Sequence, residues 1–283
     1  MFKSRVLGVI VTYHPEASVL LNVNTLLEQV SYVIIVDNES TEQSLNLLSR
    51  IIRSDRVFFI SNKDNLGVGE AFNQGLRWGI QNEYEYFLLM DQDSYPMPGM
   101  VNELVLAAAS KVNAGELVLV GPQHEDFNRK LLAKNKIPIE SVALLITSGC
   151  LIPKSVLDEV GFYDERLFID HVDHDFAIRV LRKGGLCLKV NSATLMHKFG
   201  DAEIRKFFGK TFFIQNYSPT RRYFMMRNRV ILYRRYGMFR ENWFWLDLRS
   251  AIKDLVKLVF FESEKLPKLI GVARGLIHGI FWS

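Results

Sequence analysis

The chain has 283 residues, 48% of them hydrophobic and 23% charged, with 18 Gly and 8 Pro. That composition is globular: it excludes a disordered or collagen-like chain and supplies apolar surface for a substantial core. The formal charge of +4 is unevenly spread, because 17 Lys/Arg against 7 Asp/Glu from Met196 onward (+10) leave 18 against 24 (−6) before it.

The first apolar run, Val6 to Val11, is too short for a signal segment. No uncharged stretch reaches membrane-spanning length, so a cytoplasmic location is expected. Cys150 and Cys187 are accordingly read as reduced core thiols. The basic last third makes nucleic acid, an anionic membrane surface or a phosphorylated substrate the partners to choose among.

Val6 to Val11 ends in polar residues, as a central parallel strand does. Leu20, Leu21, Val23, Leu27 and Val30 then recur at helical spacing, and Val33 to Val36 forms a second strand that stops at Asp37-Asn38. Leu45, Leu47, Leu48, Ile51 and Ile52 give another helix, Val57 to Ile60 a third strand, Glu70 to Gln81 a helix and Tyr86 to Met90 a strand. This βαβ alternation predicts a mostly parallel sheet covered by helices on both faces. Ligands of such sheets bind beyond the carboxyl ends of the strands, where Thr12, Asp37, Asn62 and Asp91 fall.

Leu117 to Gly121, Ala143 to Ser148 and Gly149 to Ile152 read as strand and loop, and Pro153 opens a short helix. Asp173 to Lys183 is predicted helical and closed by Gly184-Gly185, with Leu186 to Val190 a strand after it. From Phe207 onward the chain turns rich in Phe, Tyr, Trp and Arg. Helical runs around 220–235 and 243–261 predict a helical lobe. The expected division is a catalytic domain over 1–215 and a basic, aromatic helical region over 216–283.

Asp91-Gln92-Asp93 follows a buried strand, and two carboxylates two positions apart at a strand end can approach one hard cation. Mg²⁺ or Mn²⁺ suits oxygen ligands and a diphosphate, with Asp93 the direct ligand and Asp91 beside it. His197 is either structural or the completing ligand. Asn65-Leu66-Gly67-Val68-Gly69 resembles a phosphate loop without the dinucleotide spacing, and no Gly-Lys-Ser/Thr is present, which excludes a P-loop hydrolase. In the cluster Asp170-His171-Val172-Asp173-His174-Asp175 the general base is expected at Asp173, with Asp170 its competitor and Asp175 pairing Arg179. A second metal site on His171 and His174 is the rival reading of that cluster. Arg222 and Arg227 are expected to face the charge of a departing diphosphate.

Taken in order, these segments resemble the inverting family 2 glycosyltransferases of GT-A fold. They are most similar to bacterial rhamnosyltransferases of O-antigen or cell-wall polysaccharide synthesis. The resemblance runs over about residues 5–230. It is carried by Val11 to Pro15, Val36 to Ser40, Asn65 to Gly67 with Ala71, Asn73 and Gly75, Met90 to Ser94, Thr147 to Gly149, Phe168 to Arg179, His197 to Gly200 and Tyr223 to Asn228. It implies an α/β GT-A fold with a Rossmann-like nucleotide-binding half. The donor is then faced by Thr12, Asp37, Asn65, Gly67, Asp91 and Arg222, the metal is held by Asp93, Asp91 and His197, and Asp173, Arg227 and Asp170 carry catalysis. The family often has Glu where this chain has Val172.

The resemblance further implies transfer of L-rhamnose from dTDP-L-rhamnose to a lipid-linked saccharide. The alternatives are a UDP- or GDP-sugar donor, or a nucleotide-sugar-binding protein without catalysis. Nucleic acid is set aside for want of a recognisable motif. Phe244, Leu248, Ile252, Leu255 and Val259 lie at three- and four-residue steps, with Arg249, Lys253 and Lys257 on another face. That pattern predicts an amphipathic helix, for peripheral contact with the inner face of the cell membrane, for packing on its own domain, or for a second subunit of a homo-oligomer.

Overall fold

In a computed structural model of the chain the described residues are 6–126, 137–197, 203–207, 210–237 and 241–282. Lys198, Phe199 and Gly200 of the sequence motif lie outside them. Two compact units divide these residues, one of residues up to 168 with 172–197, the other of 169–171 with those from 203 on.

The first unit is built on one sheet. Strands β1 (Val6–Thr12), β2 (Tyr32–Asn38), β3 (Val57–Asn62) and β4 (Tyr86–Asp91) run parallel. They alternate with helices α1 (Ser18–Leu27), α2 (Glu42–Ile52) and α3 (Val68–Gln81). Then come β5 (Ser94–Pro96), α4 (Met100–Val112), β6 (Val118–Asp126), β7 (Ile139–Ser141), β8 (Leu151–Pro153), α5 (Lys154–Val160), α6 (Val172–Arg182) and β9 (Leu186–His197). The strand order is β3-β2-β1-β4-β8-β6-β9-β5, with β7 added on β9. This is the expected GT-A-like architecture, a mostly parallel sheet between helices followed by a C-terminal helical region. Central β1 is buried almost throughout, which is why its sequence is a continuous apolar run rather than an alternation. Helix α3 lies so close to β1 that a Cβ at Gly75 would come 2.4 Å from Val9 Cγ1.

Two stretches differ from the sequence-based expectation. Residues 143–148 form no strand, and the chain turns there through Gly149 at φ +80°, where a Cβ would stand 2.7 Å from Pro122 Cγ. Strand β9 does not stop at Val190 but runs on to His197 past a register shift opposite Pro122/Gln123. A bulge lets a strand continue across the polar Asn191-Ser192 pair that reads as a break in the pattern.

The second unit holds the hairpin β10 (Glu203–Phe207) and β11 (Lys210–Ile214) and the helices α7 (Pro219–Tyr236), α8 (Glu241–Phe261) and α9 (Lys265–Ile280). Ser218 caps α7 through the Arg221 amide, with Pro219 at its first position. In α8 the inward stripe is Trp243, Asp247, Ala251 and Leu258, while Phe244, Leu248 and Leu255 are only half-buried. Its apolar residues are thus divided between two sides, and Arg249 and Lys253 share the exposed side with Ile252 and Val259 instead of a separate face. Helix α9 has no counterpart in the sequence pattern, since three glycines in sixteen residues oppose helix on propensity alone.

Those glycines are its packing surface. A Cβ at Gly271, Gly275 or Gly279 would meet the carbonyl oxygens of Pro219, Tyr223 or Arg227 at 2.5, 2.4 and 2.7 Å. Gly275→Ala forces backbone against backbone, so urea denaturation is expected to show a loss of about 1–3 kcal/mol despite alanine's better helix propensity. A gain in stability would refute the close approach.

Candidate active site

Parallel pairing of β1 with β2 and β4 sets Thr12 opposite Asp37 and Val11 opposite Asp91. The polar residues that end the three strands therefore emerge along one edge of the sheet. Thr12 and Asp37 are both fully buried, and the threonine hydroxyl donates to Asp37 Oδ1 at 2.7 Å. Asp37 also accepts from the Ser40 amide at 2.9 Å and from the Ser40 hydroxyl. Three donors hold the buried carboxylate in one orientation.

Asn38, buried next to it, ties β2 to the glycine-containing loop. Its Nδ2 donates to the Gly67 carbonyl at 3.0 Å, and its Oδ1 accepts from Asn62 Nδ2 at 3.0 Å. Asn65 Oδ1 accepts from the Gly67 amide. Gly67 stands at φ +85°, with Phe168 so near that a Cβ would lie 2.7 Å from its carbonyl oxygen, and Val68 donates to that oxygen at 2.7 Å. Only glycine serves there. Asn65 and Gly67 thus fix the loop's shape, and Asn73 braces the segment before Phe168 by bonding both backbone groups of Tyr163 at 3.0 Å.

Asp91, Asp93 and His197 bring one ligand atom each within 4.8 Å of one another. The extension of β9 accounts for the histidine: β5 pairs antiparallel with it, setting Ser94 opposite His197. The Ser94 hydroxyl contacts His197 Nδ1 in a very short hydrogen bond, and the Ser148 hydroxyl donates to Ser94 at 3.1 Å. These contacts fix the rotation of the imidazole. Gln92 is not a spacer, because it accepts from the Tyr13 amide at 2.8 Å and returns its Nε2 to the Tyr13 carbonyl at 3.2 Å. It clasps the end of β1 to the acidic turn. Asn22 donates to the Asp91 carbonyl at 2.6 Å, while its buried Oδ1 meets no donor among the described residues. His14, Glu16, Ser18, Asn22, Asp93 and Tyr95 line a cavity of about 230 Å³ here. Gln92, Ser94 and Ser148 lie within the sequence motifs without a role that the sequence assigns, and Asn22 lies in none of them, because single polar residues in helices and turns carry no distinguishing signal.

Asp173 opens α6, its Oδ1 accepting the His174 amide at 2.9 Å. Burial, then Cys187 and the Asp173 carboxylate, push the Cys150 thiol far up. The Cys150 carbonyl accepts from the Leu89 amide, two residues before Asp91. The anticipated Asp175–Arg179 pair forms at 2.8 Å, and Arg179 also donates to the carbonyls of Val160 and Phe162.

The remaining expected residues belong to the second unit. Asp170 is gripped by Arg221 through both oxygens at 3.1 Å, and its carbonyl accepts from Asn228 at 2.9 Å. Arg222 is buried against Glu262, which also takes Lys268 Nζ at 3.1 Å. Arg227 is buried too, its Nε donating to Asn228 at 2.9 Å and its guanidinium stacked 4.7 Å from the Phe224 and Trp282 rings.

A model of glycosyl transferase family 2 matches residues 9–153, which is about half of the chain. A dTDP-rhamnosyl transferase, RfbF of Shigella flexneri, is 29% identical over 308 aligned positions covering 98% of each protein. Among solved structures, GalNAc-T7 with UDP, GalNAc and Mn²⁺ superposes with TM-score 0.64 at 13% identity. That match covers 99% of this chain and 56% of the other, so the chain spans little more than half of that structure's length. S. aureus TarS 1-349 in complex with UDP-GlcNAc gives 0.62 at 18% identity, over 98% and 81%. At those identities the structures establish the fold alone.

His124 offers a test of the site's packing. Burial first, with His197 and Lys189 adding to it, lowers its pKa from 6.5 to about 4, against a bond between its Nε2 and the Ser148 carbonyl at 2.8 Å. Its folded pKa lies below its unfolded one, so the stabilisation is full above about pH 6.5 and lost as pH falls toward 4. Urea titrations with chelator present should lose on the order of 3 kcal/mol across that window, and His124→Gln should flatten the slope.

Proposed function

The chain belongs to glycosyl transferase family 2, and from that membership we propose that it transfers L-rhamnose from dTDP-β-L-rhamnose, with inversion, to a hydroxyl of a lipid-linked saccharide. The reading is carried by the convergence of Asp91, Asp93 and His197 within 4.8 Å at the strand ends that also hold the Thr12–Asp37 pair. Two carboxylates and an imidazole, half-exposed beside a cavity, would suit Mg²⁺ or Mn²⁺, which would also bind a diphosphate. The cation supplies positive charge for the leaving diphosphate. Asp37, Thr12 and the loop of Asn65 and Gly67 are the proposed nucleoside and ribose contacts.

Asp173 is the proposed base. Its carboxylate takes the proton of the acceptor hydroxyl as that oxygen bonds to the anomeric carbon. The bond from that carbon to the diphosphate breaks on the opposite face, and its electron pair leaves with dTDP. Asp170 is a poorer candidate, since a carboxylate held by both arms of a guanidinium has its lone pairs engaged. Arg222 and Arg227, both buried in paired or stacked settings, are proposed to shape the helical unit rather than to touch the donor.

The relatives carry a nucleoside-diphosphate sugar further than they carry rhamnose. RfbF is named for dTDP-rhamnose, but the superposed structures are named with UDP and UDP-GlcNAc. A UDP- or GDP-sugar in the same reaction is therefore the second reading. Thermal shift with dTDP, UDP and GDP, each with and without Mn²⁺, separates them: Mn²⁺-dependent stabilisation by dTDP alone is expected. Stabilisation by UDP alone selects the second reading, and no response to any nucleotide defeats catalysis altogether.

Asp93→Ala should abolish the metal-dependent part of that shift. Asp173→Asn should keep it while turnover falls roughly 10²–10⁴-fold. Near-normal turnover in Asp173→Asn would move the base elsewhere.

A further inference from the structure

Helix α9 is built inside out. Its buried positions are Lys268, Gly271, Gly275 and Gly279, whereas Leu266, Leu269, Ile270, Leu276, Ile277 and Ile280 are exposed. A helix docked by the hydrophobic effect buries its large apolar residues and exposes its polar ones. The glycines allow no rotation to correct this, because backbone oxygens of α7 occupy the places of their missing Cβ atoms. Lys268 is likewise anchored inward on Glu262 and Asn216.

Helix α8 adds Trp245, Ile252, Val256 and Phe260 to the exposed apolar residues. Among the described residues, 13 of the 22 large apolar side chains exposed in the chain lie between Trp245 and Phe281. Scattered singly they would need no explanation, but gathered on two consecutive helices they mark an interaction surface.

Charge decides the partner. Arg249, Lys253, Lys265 and Arg274 are exposed on these helices. Of the carboxylates in 243–282, Asp247 and Glu262 are buried and Asp254 half-buried, which leaves Glu264 alone exposed. A second copy docked by a two-fold axis would set this cationic surface against itself, with almost no acid to answer it. An anionic bilayer answers both features, taking the apolar side chains at the acyl boundary and offering phosphates to the cations. None of the described helices is long and apolar enough to cross a membrane, so the contact is interfacial. Between α7 and α9 a groove of about 270 Å³ is lined by Tyr223, Phe224, Ile270 and Arg274 among others. It is a mostly apolar slot carrying a cation, contiguous through Ile270 with the exposed surface.

We propose that the outward faces of α8 and α9 form an interfacial docking surface for a bilayer containing anionic phospholipid. This goes beyond the reaction proposed above, and it is tested without donor or acceptor, so either can fail alone. The full chain is sedimented with vesicles of phosphatidylcholine, and with vesicles in which roughly one third is phosphatidylglycerol. Binding to the anionic vesicles is expected, with a drop in salt of about 0.5 M. Ile270→Ser with Ile277→Ser removes exposed apolar contacts, and Lys253→Glu with Arg274→Glu reverses two charges. Each pair sits at exposed positions and is expected to weaken partitioning roughly tenfold or more, with circular dichroism unchanged. Equal partitioning of both double variants and the parent overturns the proposal. So does a chain that ignores vesicles and sediments instead as a dimer dissociated by Ile270→Ser with Ile277→Ser.

Discussion

The register of β1 between β2 and β4 governs what the first unit can do. Parallel strands in this register bring Thr12, Asp37 and Asp91 out along one edge of the sheet, and a slip of one residue would turn each to the opposite face. The register is held from within by apolar burial along most of β1 and by α3, which approaches over Gly75. It is held at the edge by Thr12 on Asp37 and by Gln92 clasping Tyr13. The polar edge is therefore rigid before any ligand arrives, and preorganisation of this kind favours binding of charge without later rearrangement.

Around that edge the side chains form a supporting layer. Ser148 holds Ser94, Ser94 holds His197, and His124 closes over the Ser148 carbonyl. A ligating imidazole is useful only when its other nitrogen is fixed, and the long β9 strand with its bulge brings it opposite β5. In a glycosyltransferase the departing diphosphate must be gripped while the anomeric carbon stays open on its other face. The proposed cation site on the turn after β4 and the proposed base on a separate helix, α6, divide those tasks between two elements.

The C-terminal unit follows a different logic. Its inward positions hold ion pairs, Arg222 and Lys268 on Glu262 and Arg229 on Asp247, together with glycine-lined helix contact. Breaking one partner of such a buried pair strands the other charge, which is why these groups are costly to remove even where their net contribution is small. Along α9 the ionic and small residues inside leave the large apolar ones outside. That arrangement is consistent with a medium other than water on the outer face.

The sequence by itself determined the α/β class, the strand-end positions of Thr12, Asp37 and Asp91, and the Asp175–Arg179 pair. Each follows from a local rule, either apolar run length and alternation or i,i+4 spacing, that acts within a few residues. Membership of glycosyl transferase family 2 was legible for the same reason, since its motifs sit at those strand ends. Tertiary structure realised what the resemblance only implied, that His197 reaches Asp91 and Asp93, and by itself decided how Asn22, Gln92, Ser94 and Ser148 bond along the same edge and that Arg222 pairs with Glu262. These contacts join residues from 40 to more than 100 positions apart, across strand pairings and a bulge that no local pattern encodes. The exposed face of α9 belongs with them. Its leucines and isoleucines have the spacing of a buried stripe, and only glycines meeting the α7 backbone turned that stripe outward.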